Sequence, residues 1–331
     1  MTFNLKIFFV LIFLLPNLYS ETLSVMTFNV QNLFDTKDDF GKDDKAFLPL
    51  NKKLSEEHQK ECNKINVNSW RLECLYLDWN KNTKDSKLEN IKKNILSFNG
   101  NGPDIIAFQE IENINILRQL FVLLKSHGYK DFQLLESTDK RGIDTAYISK
   151  HTIYDPKLHY IKFSKNFQTK DTRPIFEISI QINGNTIKIY NSHFPSNYYD
   201  IQMRVESFQV LNNLHKSHSY PSIALGDFNV NSIDDRKFNI YKNQENQWFV
   251  AHLEGCKSCK GTYYYNYGKS WDFLDTILIS RDRGISFDKK SIKIHKTKFN
   301  TYKNTGKPFR FDPKSNEGVS DHFAMVAIIN V

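Results

Sequence analysis

The sequence predicts one α/β domain over residues 21–331, and three observations carry that reading. Strand-like and helix-like apolar patterns interleave along the whole chain instead of segregating into halves. A hairpin turn signal occurs among segments that are elsewhere joined by helices, so antiparallel and crossover connections are both expected. No Pro-, Gly- or Ser-rich linker divides the chain, which holds only 13 Gly and 9 Pro in 331 residues. Apolar residues make up 40% and charged residues 25%, which excludes disorder, collagen and coiled coil. No repeat of roughly 20–50 residues is visible, so solenoids and propellers are excluded as well.

Residues 1–20 stand outside the domain. Lys6 precedes an apolar run, Ile7 to Leu15, which Pro16 breaks before the small residue Ser20. That is the pattern of a secretory signal, and the run falls short of the about 20 residues that span a bilayer. The protein is therefore expected to be secreted or periplasmic. Residues 23–30 read as a strand. A charged stretch, 36–86, has no sustained apolar periodicity and reads as an insertion. Leu88, Ile91, Ile95 and Leu96 fall at helical spacing, and Gly100-Asn101-Gly102-Pro103 ends that helix. Residues 105–109 form a short buried strand, and 114–126 a helix closed by Gly128. Several β-rich runs follow from 132 to 189, with Asn183-Gly184-Asn185 as a hairpin turn. A helix over 204–216 and strands over 222–225, 273–280 and 323–331 complete the series.

Export makes the four cysteines readable, because oxidising compartments favour disulfides. Of three full pairings, the local one, Cys62 with Cys74 and Cys256 with Cys259, is preferred. Half a zinc site at Cys256-x-x-Cys259 is the alternative, but no second pair stands at suitable spacing. The formal charge is +8 and the isoelectric point about 9.0. Removing residues 1–20 takes away only Lys6 and leaves +7. A balance of that sign favours a polyanionic partner, nucleic acid or an anionic membrane surface.

The chemistry gathers at strand ends. Thr27-Phe28-Asn29-Val30, Phe108-Gln109-Glu110, Tyr190-Asn191-Ser192-His193, Leu225-Gly226-Asp227-Phe228-Asn229 and Val319-Ser320-Asp321-His322 each run from apolar to polar or ionisable residues. Rigid strands fix the position of a terminal side chain, so a shared rim of such ends is where a site can be built. Asn29, Glu110, Asp227, Asn229 and Asp321 offer hard oxygen donors of the kind Mg²⁺ or Ca²⁺ prefers. His193 and His322 can exchange a proton near neutral pH. Strand alternation puts Asp275 on one face with Phe273, Ile277 and Ile279. A carboxylate is costly there unless paired, and a histidine is its natural partner.

These segments, in this order and together with Leu274-Asp275-Thr276-Ile277-Leu278-Ile279-Ser280, resemble the endonuclease/exonuclease/phosphatase superfamily, whose familiar members include deoxyribonuclease I and the exonuclease III-type repair endonucleases. Asn32-Leu33-Phe34-Asp35 and Gly261-Thr262-Tyr263-Tyr264-Tyr265 look like a bacterial exported branch. The resemblance implies a four-layered α-β-β-α sandwich of two packed mixed β-sheets flanked by helices, and metal-dependent hydrolysis of a phosphoester. It implies Glu110 as principal ligand of Mg²⁺ (or Mn²⁺ or Ca²⁺), helped by Asn29 and Asp321. Asp227 and Asn229 would orient the nucleophilic water and the scissile phosphate. His322, backed by Asp275, and His193 would form the acid/base set. Arg173 would contact phosphate and Asp144 would orient His193. Gln31 stands where repair-type relatives carry an acidic residue, and His193 where they carry tyrosine, which points away from abasic-site repair. Glu112 reads as a cap or surface group.

The function expected is therefore that of an exported endonuclease acting on nucleic acid, with the tyrosines at 263–267 suited to base stacking. The alternatives are a lipid or small-molecule phosphodiesterase or phosphatase of the sphingomyelinase or inositol-phosphatase type, or a binding module that kept the fold. No obligate protein partner is called for, and a monomer is expected.

Overall fold

A computed structural model describes residues 21–331 except Asp171 and Asp282; the expected signal segment lies outside the described residues. The chain opens with β1 (Thr22–Leu33), then α1 (Glu56–Asn63) and α2 (Asn68–Tyr76). Next come α3 (Lys81–Leu96), β2 (Ile105–Ile111), α4 (Ile114–Leu124), β3 (Asp131–Leu134) and β4 (Asp144–Ser149). Then follow β5 (Tyr154–His159), β6 (Ile175–Ile182), β7 (Asn185–His193), α5 (Ile201–Lys216) and β8 (Ser222–Asp227). After α6 (Ser232–Phe238), β9 (Trp248–Val250) and α7 (Ala251–Glu254), a hairpin joins β10 (Tyr263–Tyr265) to β11 (Ser270–Asp272). The last strands are β12 (Asp275–Ser280), β13 (Ser286–Phe287), β14 (Lys293–His295) and β15 (Ala324–Asn330).

Two mixed sheets result. One runs β13-β15-β1-β2-β4-β3, with β14 also on β15; the other runs β5-β6-β7-β8-β12-β9. Each is centred on a parallel pair joined by a helical crossover: β1 and β2 through α3, β7 and β8 through α5. The remaining pairings are antiparallel. Side-chain alternation sorts the layers. Leu23, Val25, Ile105, Ala107, Ile189, Ile223 and Ile277 meet between the sheets. Met26, Phe28, Ile106 and Phe108 turn the other way, onto Leu88, Ile91 and Ile95 of α3 and Leu117 and Leu120 of α4. Tyr190, Ala224 and Leu278 cover Met203, Phe208 and Leu211 of α5. These central strands are apolar on both faces because both are covered, and each buried Ile, Leu or Phe contributes about 1.5–3 kcal/mol. The four-layered sandwich is as the resemblance implied.

Local chemistry explains the boundaries. Asn113 caps α4 by accepting from Asn115 N–H at 2.9 Å and Ile116 N–H at 3.1 Å, and Gly128 stops the turn that follows at φ 91°. Asn183 and Gly184, both at positive φ, make the two-residue loop between β6 and β7. In the charged stretch, α1 and α2 are joined by Cys62–Cys74, while Cys256–Cys259 closes a turn after α7; both local pairings are formed. The end of that stretch already belongs to α3: Asn80 accepts from Thr83 N–H at 3.0 Å and starts the helix at Lys81, before its apolar spacing begins.

Candidate active site

At one end of the layer between the sheets, apolar residues give way to polar ones on every central strand. Leu23 and Val25 are followed on the same face by Thr27 and Asn29, and Ile105 and Ala107 by Gln109. Ile187 and Ile189 are followed by Asn191 and His193, and Ile223 and Leu225 by Asp227. β12 runs the opposite way, so its first residue, Asp275, pairs across to Asp227. The predicted site residues are thus the end of the inter-sheet core itself. Phe273 precedes β12 and stacks on His252 with ring centroids 4.5 Å apart, so it does not share the Asp275 face as expected.

Backbone irregularity brings in what alternation would exclude. Glu110 ought to face the helices, but the ladder slips between Gln109 and Ile111 and Glu110 takes φ 67°. Its Oε1 accepts from Asn29 Nδ2 at 3.3 Å and its Oε2 from Asn32 N–H at 2.9 Å. Gln31 and Asn32 are also left-handed, at 54° and 56°, and Gln31 Oε1 accepts from Asp321 N–H at 3.1 Å. Such backbone strain concentrates at functional sites. Gly226 is required for another reason: a Cβ there would lie 2.0 Å from the Ser192 carbonyl oxygen. Beyond β8, Asn229 (φ 53°) gives its N–H to Asp227 Oδ1 at 2.9 Å and its Nδ2–H to Phe194 O at 3.0 Å.

His322 Nδ1 and Asp275 Oδ2 lie 2.7 Å apart, both buried. Burial opposes a charged imidazole, but Asp275, Asp227 and Asp321 outweigh it and hold the His322 pKa well above its usual value. His193 goes the other way: burial, then the positive charges of Arg173 and Arg141, push it well below. Its Nε2 is 3.9 Å from Glu110 Oε1 and 3.7 Å from Asp227 Oδ2. Burial and the neighbouring Asp275 raise Asp227 to about 7. Two imidazoles of opposite charge preference beside a carboxylate poised near neutrality are the separation that acid–base chemistry needs.

Glu110 and Asp321 supply all-oxygen donors that fit a hard divalent ion, with Asp227 beside them. Asp227, Asp275 and His322 also have ligand atoms within 4.8 Å of one another, but His322 is committed to Asp275 and favours its proton, which disfavours a cation there. Asn29, expected to lend an oxygen, instead points Nδ2 at Glu110 and at Asp227 Oδ2 (3.0 Å), because its Oδ1 accepts from Gln31 N–H at 3.0 Å. It bridges the two carboxylates.

Arg173 donates to Phe194 O at 3.2 Å, the same carbonyl that Asn229 uses, and its NH1 is 3.5 Å from Asp139 Oδ2. Asp144 does not orient His193. Both its oxygens lie 3.3 Å from Ser137 N–H, and His193 Nδ1 has no hydrogen-bond partner. The turn before β4 claims that carboxylate first. Glu112 is not on the surface either: only 2% exposed, it accepts from Asp35 N–H at 2.6 Å. Three further neighbours close on the site: Lys87 and Arg141, which sequence reasoning missed, and Tyr263, which it read only as a stacking residue. Lys87, fully buried, donates to Gln31 O and lies close enough to Glu110 and Asp321 to feel their charge. Arg141 reaches Asn32 Oδ1 at 3.3 Å, and Tyr263 sets its ring 4.9 Å from that of His322. Of the two that were missed, only Lys87 left a signal, a lysine beside the apolar spacing of α3.

Fold and rim together define an α/β sandwich that carries a cluster of carboxylates and imidazoles at the end of its inter-sheet layer. Residues 71–330 match the model of the Endonuclease/Exonuclease/phosphatase family, and the chain belongs to that family of phosphoester hydrolases, whose members typically depend on a divalent metal. Among solved structures it is similar to D. rerio TDP2 complexed with single strand DNA product (12% identity, 94% of this chain and 99% of that one, TM-score 0.57). It is also similar to an endonuclease/exonuclease/phosphatase family protein from Leptotrichia buccalis (17%, 93% and 100%, TM-score 0.52). A further likeness is to a family member from Bacteroides thetaiotaomicron (14%, 93% and 97%, TM-score 0.54). No curated protein matches the chain.

Proposed function

We propose that this protein is an exported, divalent-metal-dependent nuclease that hydrolyses phosphodiester bonds of nucleic acid. The observation that carries the reading is the Asp275–His322 pair set beside Asp227, Asn229 and Glu110 at one rim. Glu110 and Asp321 would hold the ion, with Asn29 fixing Glu110 against Asp227. A divalent cation held by these residues would supply neutralisation of the charge that develops on the phosphate oxygens. Asp227, near pKa 7, takes the proton of the attacking water. As the bond from phosphorus to the leaving oxygen breaks, His322 gives that oxygen the proton of Nε2, and Asp275 stabilises the imidazolium until then. Asn229 and Arg173 hold non-bridging oxygens, and neutral His193 fills the space between Glu110 and Asp227.

Nucleic acid as substrate is supported by the excess of basic residues, by the exposed Tyr265 and Tyr267 on the hairpin that carries Tyr263, and by the single-strand DNA product bound to D. rerio TDP2. Export is supported by the leader pattern and the two disulfides. No described helix is long and apolar enough to cross a membrane. The test is a panel of plasmid, single-stranded DNA, RNA, sphingomyelin and inositol phosphates, with and without EDTA. Nucleic acid should be cut, the activity should vanish with EDTA, and Mg²⁺ or Mn²⁺ should restore it. Hydrolysis confined to the lipid or inositol phosphates would move the protein to the other branch. Cutting in excess EDTA would remove the metal. N-terminal sequencing of the exported protein should begin at Glu21.

A further inference from the structure

The segment that follows β1 ends in a second group of carboxylates that the proposed reaction does not use. Ligand oxygens of Asp39, Asp44 and Glu112 lie within 4.8 Å of one another. Asp44 is 1% exposed and Glu112 2%, and Asp44 Oδ1 and Glu112 Oε1 are buried without a hydrogen-bond partner. The other oxygen of each is pinned: Asp44 Oδ2 accepts from Asp39 N–H at 2.8 Å and Glu112 Oε2 from Asp35 N–H at 2.6 Å. Asp39 Oδ2 accepts from Asn113 Nδ2 at 2.9 Å. The backbone and Asn113 thus fix one oxygen of each carboxylate and leave Asp44 Oδ1 and Glu112 Oε1 buried without a partner. No described Lys or Arg forms an ion pair with any of the three. Lys42 spends its ammonium on the carbonyls of Ser137 and Asp139, and Lys45 pairs with Glu61.

Facing carboxylates out of water are strongly unfavourable as a charged set and must be neutralised, by protons or by a positive charge held between them. We infer that Asp39, Asp44 and Glu112 bind a hard divalent cation of the Ca²⁺ class, separate from the ion at Glu110. Irregular loop geometry rich in carboxylates suits Ca²⁺ better than Mg²⁺, which demands near-ideal octahedra and keeps its waters. Glu110 near the end of β2 and Glu112 just past it are two residues apart but face apart: the slipped ladder turns Glu110 to Asn29 and Asn32, and Glu112 to the 35–44 segment. A cation here would fasten that segment to the end of β2. The segment in turn grips the loop before β4, through Asp43 N–H to Lys140 O at 2.7 Å, and that loop carries Asp139 and Arg141 beside Arg173 and Asn32.

The experiment uses the Glu110→Gln protein, stripped with chelator, so that the catalytic ligand set is already broken and the outcome does not depend on the proposed activity. Calorimetric titration with CaCl₂ should show one Ca²⁺ bound, and a hundredfold excess over Kd should raise the melting temperature by about 5 °C. Adding Asp44→Asn and Glu112→Gln should abolish the heat and the shift. The metal-free melting temperature should hold or rise, since the repulsion is gone. Asp44→Asn alone should weaken binding at least about tenfold, which keeps the idea testable if the combined variant fails to fold. Absence of Ca²⁺ binding to stripped Glu110→Gln protein, or unchanged affinity in Asp44→Asn, would overturn the site.

Discussion

Replacing Asp275 by Asn removes one charge and almost no volume, which makes it the cleanest perturbation of the proposed chemistry. In the native site the carboxylate 2.7 Å from Nδ1 is the chief reason His322 stays protonated against its own burial. Without it burial is opposed only by Asp227 and Asp321, and the imidazole gives up its proton more readily. If the pKa falls two units below the assay pH, only about 1% of the sites keep the proton that the leaving oxygen needs, a loss of about 10²-fold. An amide can also hold the wrong tautomer, which extends the loss toward about 10⁴-fold. The assay is the initial rate of plasmid nicking with Mg²⁺ from pH 5.5 to 9, with circular dichroism and a thermal melt as controls for folding. The gap to wild type should narrow toward low pH, where His322 regains its proton while Asp227 is protonated in both proteins. His322→Ala should fall by at least about 10²-fold at all pH values, and the double variant should lose little more than the worse single one. A folded Asp275→Asn protein within tenfold of wild type, or losses that multiply in the double variant, would refute the dyad.

Three further expectations concern the framework. Gly226→Ala forces a Cβ to within 2.0 Å of Ser192 O and should cost about 3 kcal/mol or more in urea unfolding; a cost under about 1 kcal/mol would show that β7 and β8 can separate freely. Cys62→Ser with Cys74→Ser opens a loop of sequence separation 12 and should cost about 3 kcal/mol, with the melting temperature dropping correspondingly. Glu177 is pushed up by burial, but His159 Nε2 and Lys188 Nζ, both at 2.7 Å, prevail and hold it at about 2. Its folded pKa lies below the unfolded value, so its stabilisation is complete above about pH 4.5 and fades toward about pH 2. Glu177→Gln should therefore cost about 2–3 kcal/mol at pH 7, and urea titrations should show the gap to wild type closing as the pH falls below about 4.5; a gap constant with pH would refute the pairing.

The strands that carry the rim were legible because each ends an apolar, period-two run, and that periodicity survives in the sequence whatever it packs against. Asp275 illustrates this: alternation alone placed it among apolar residues and demanded a partner. Glu112 was misread for the opposite reason. Its burial depends on the segment after β1 folding back across the end of β2, which no local pattern records, and on a ladder slip that breaks the alternation at Glu110. Asp144 failed because a carboxylate at the start of a strand serves a turn or a histidine equally well, and only the position of Ser137 decides. Lys87 and Arg141 reach the site through long side chains from a helix and a loop, where one-dimensional spacing says little about reach.

The pairing of β1 with β15 has a consequence for how the protein is made. Thr22 lies opposite Asn330, and Ser320 Oγ donates to Asn29 O across 291 residues of chain. Contacts of that separation are among the last to close, since the loop they seal is nearly the whole polypeptide. Until β15 pairs with β1, that strand has an open edge and neither Asp321 nor His322 is held at the rim. The rim is thus completed only by the longest-range closure in the fold, the one that brings Asp321 and His322 beside Asn29 and Asp275.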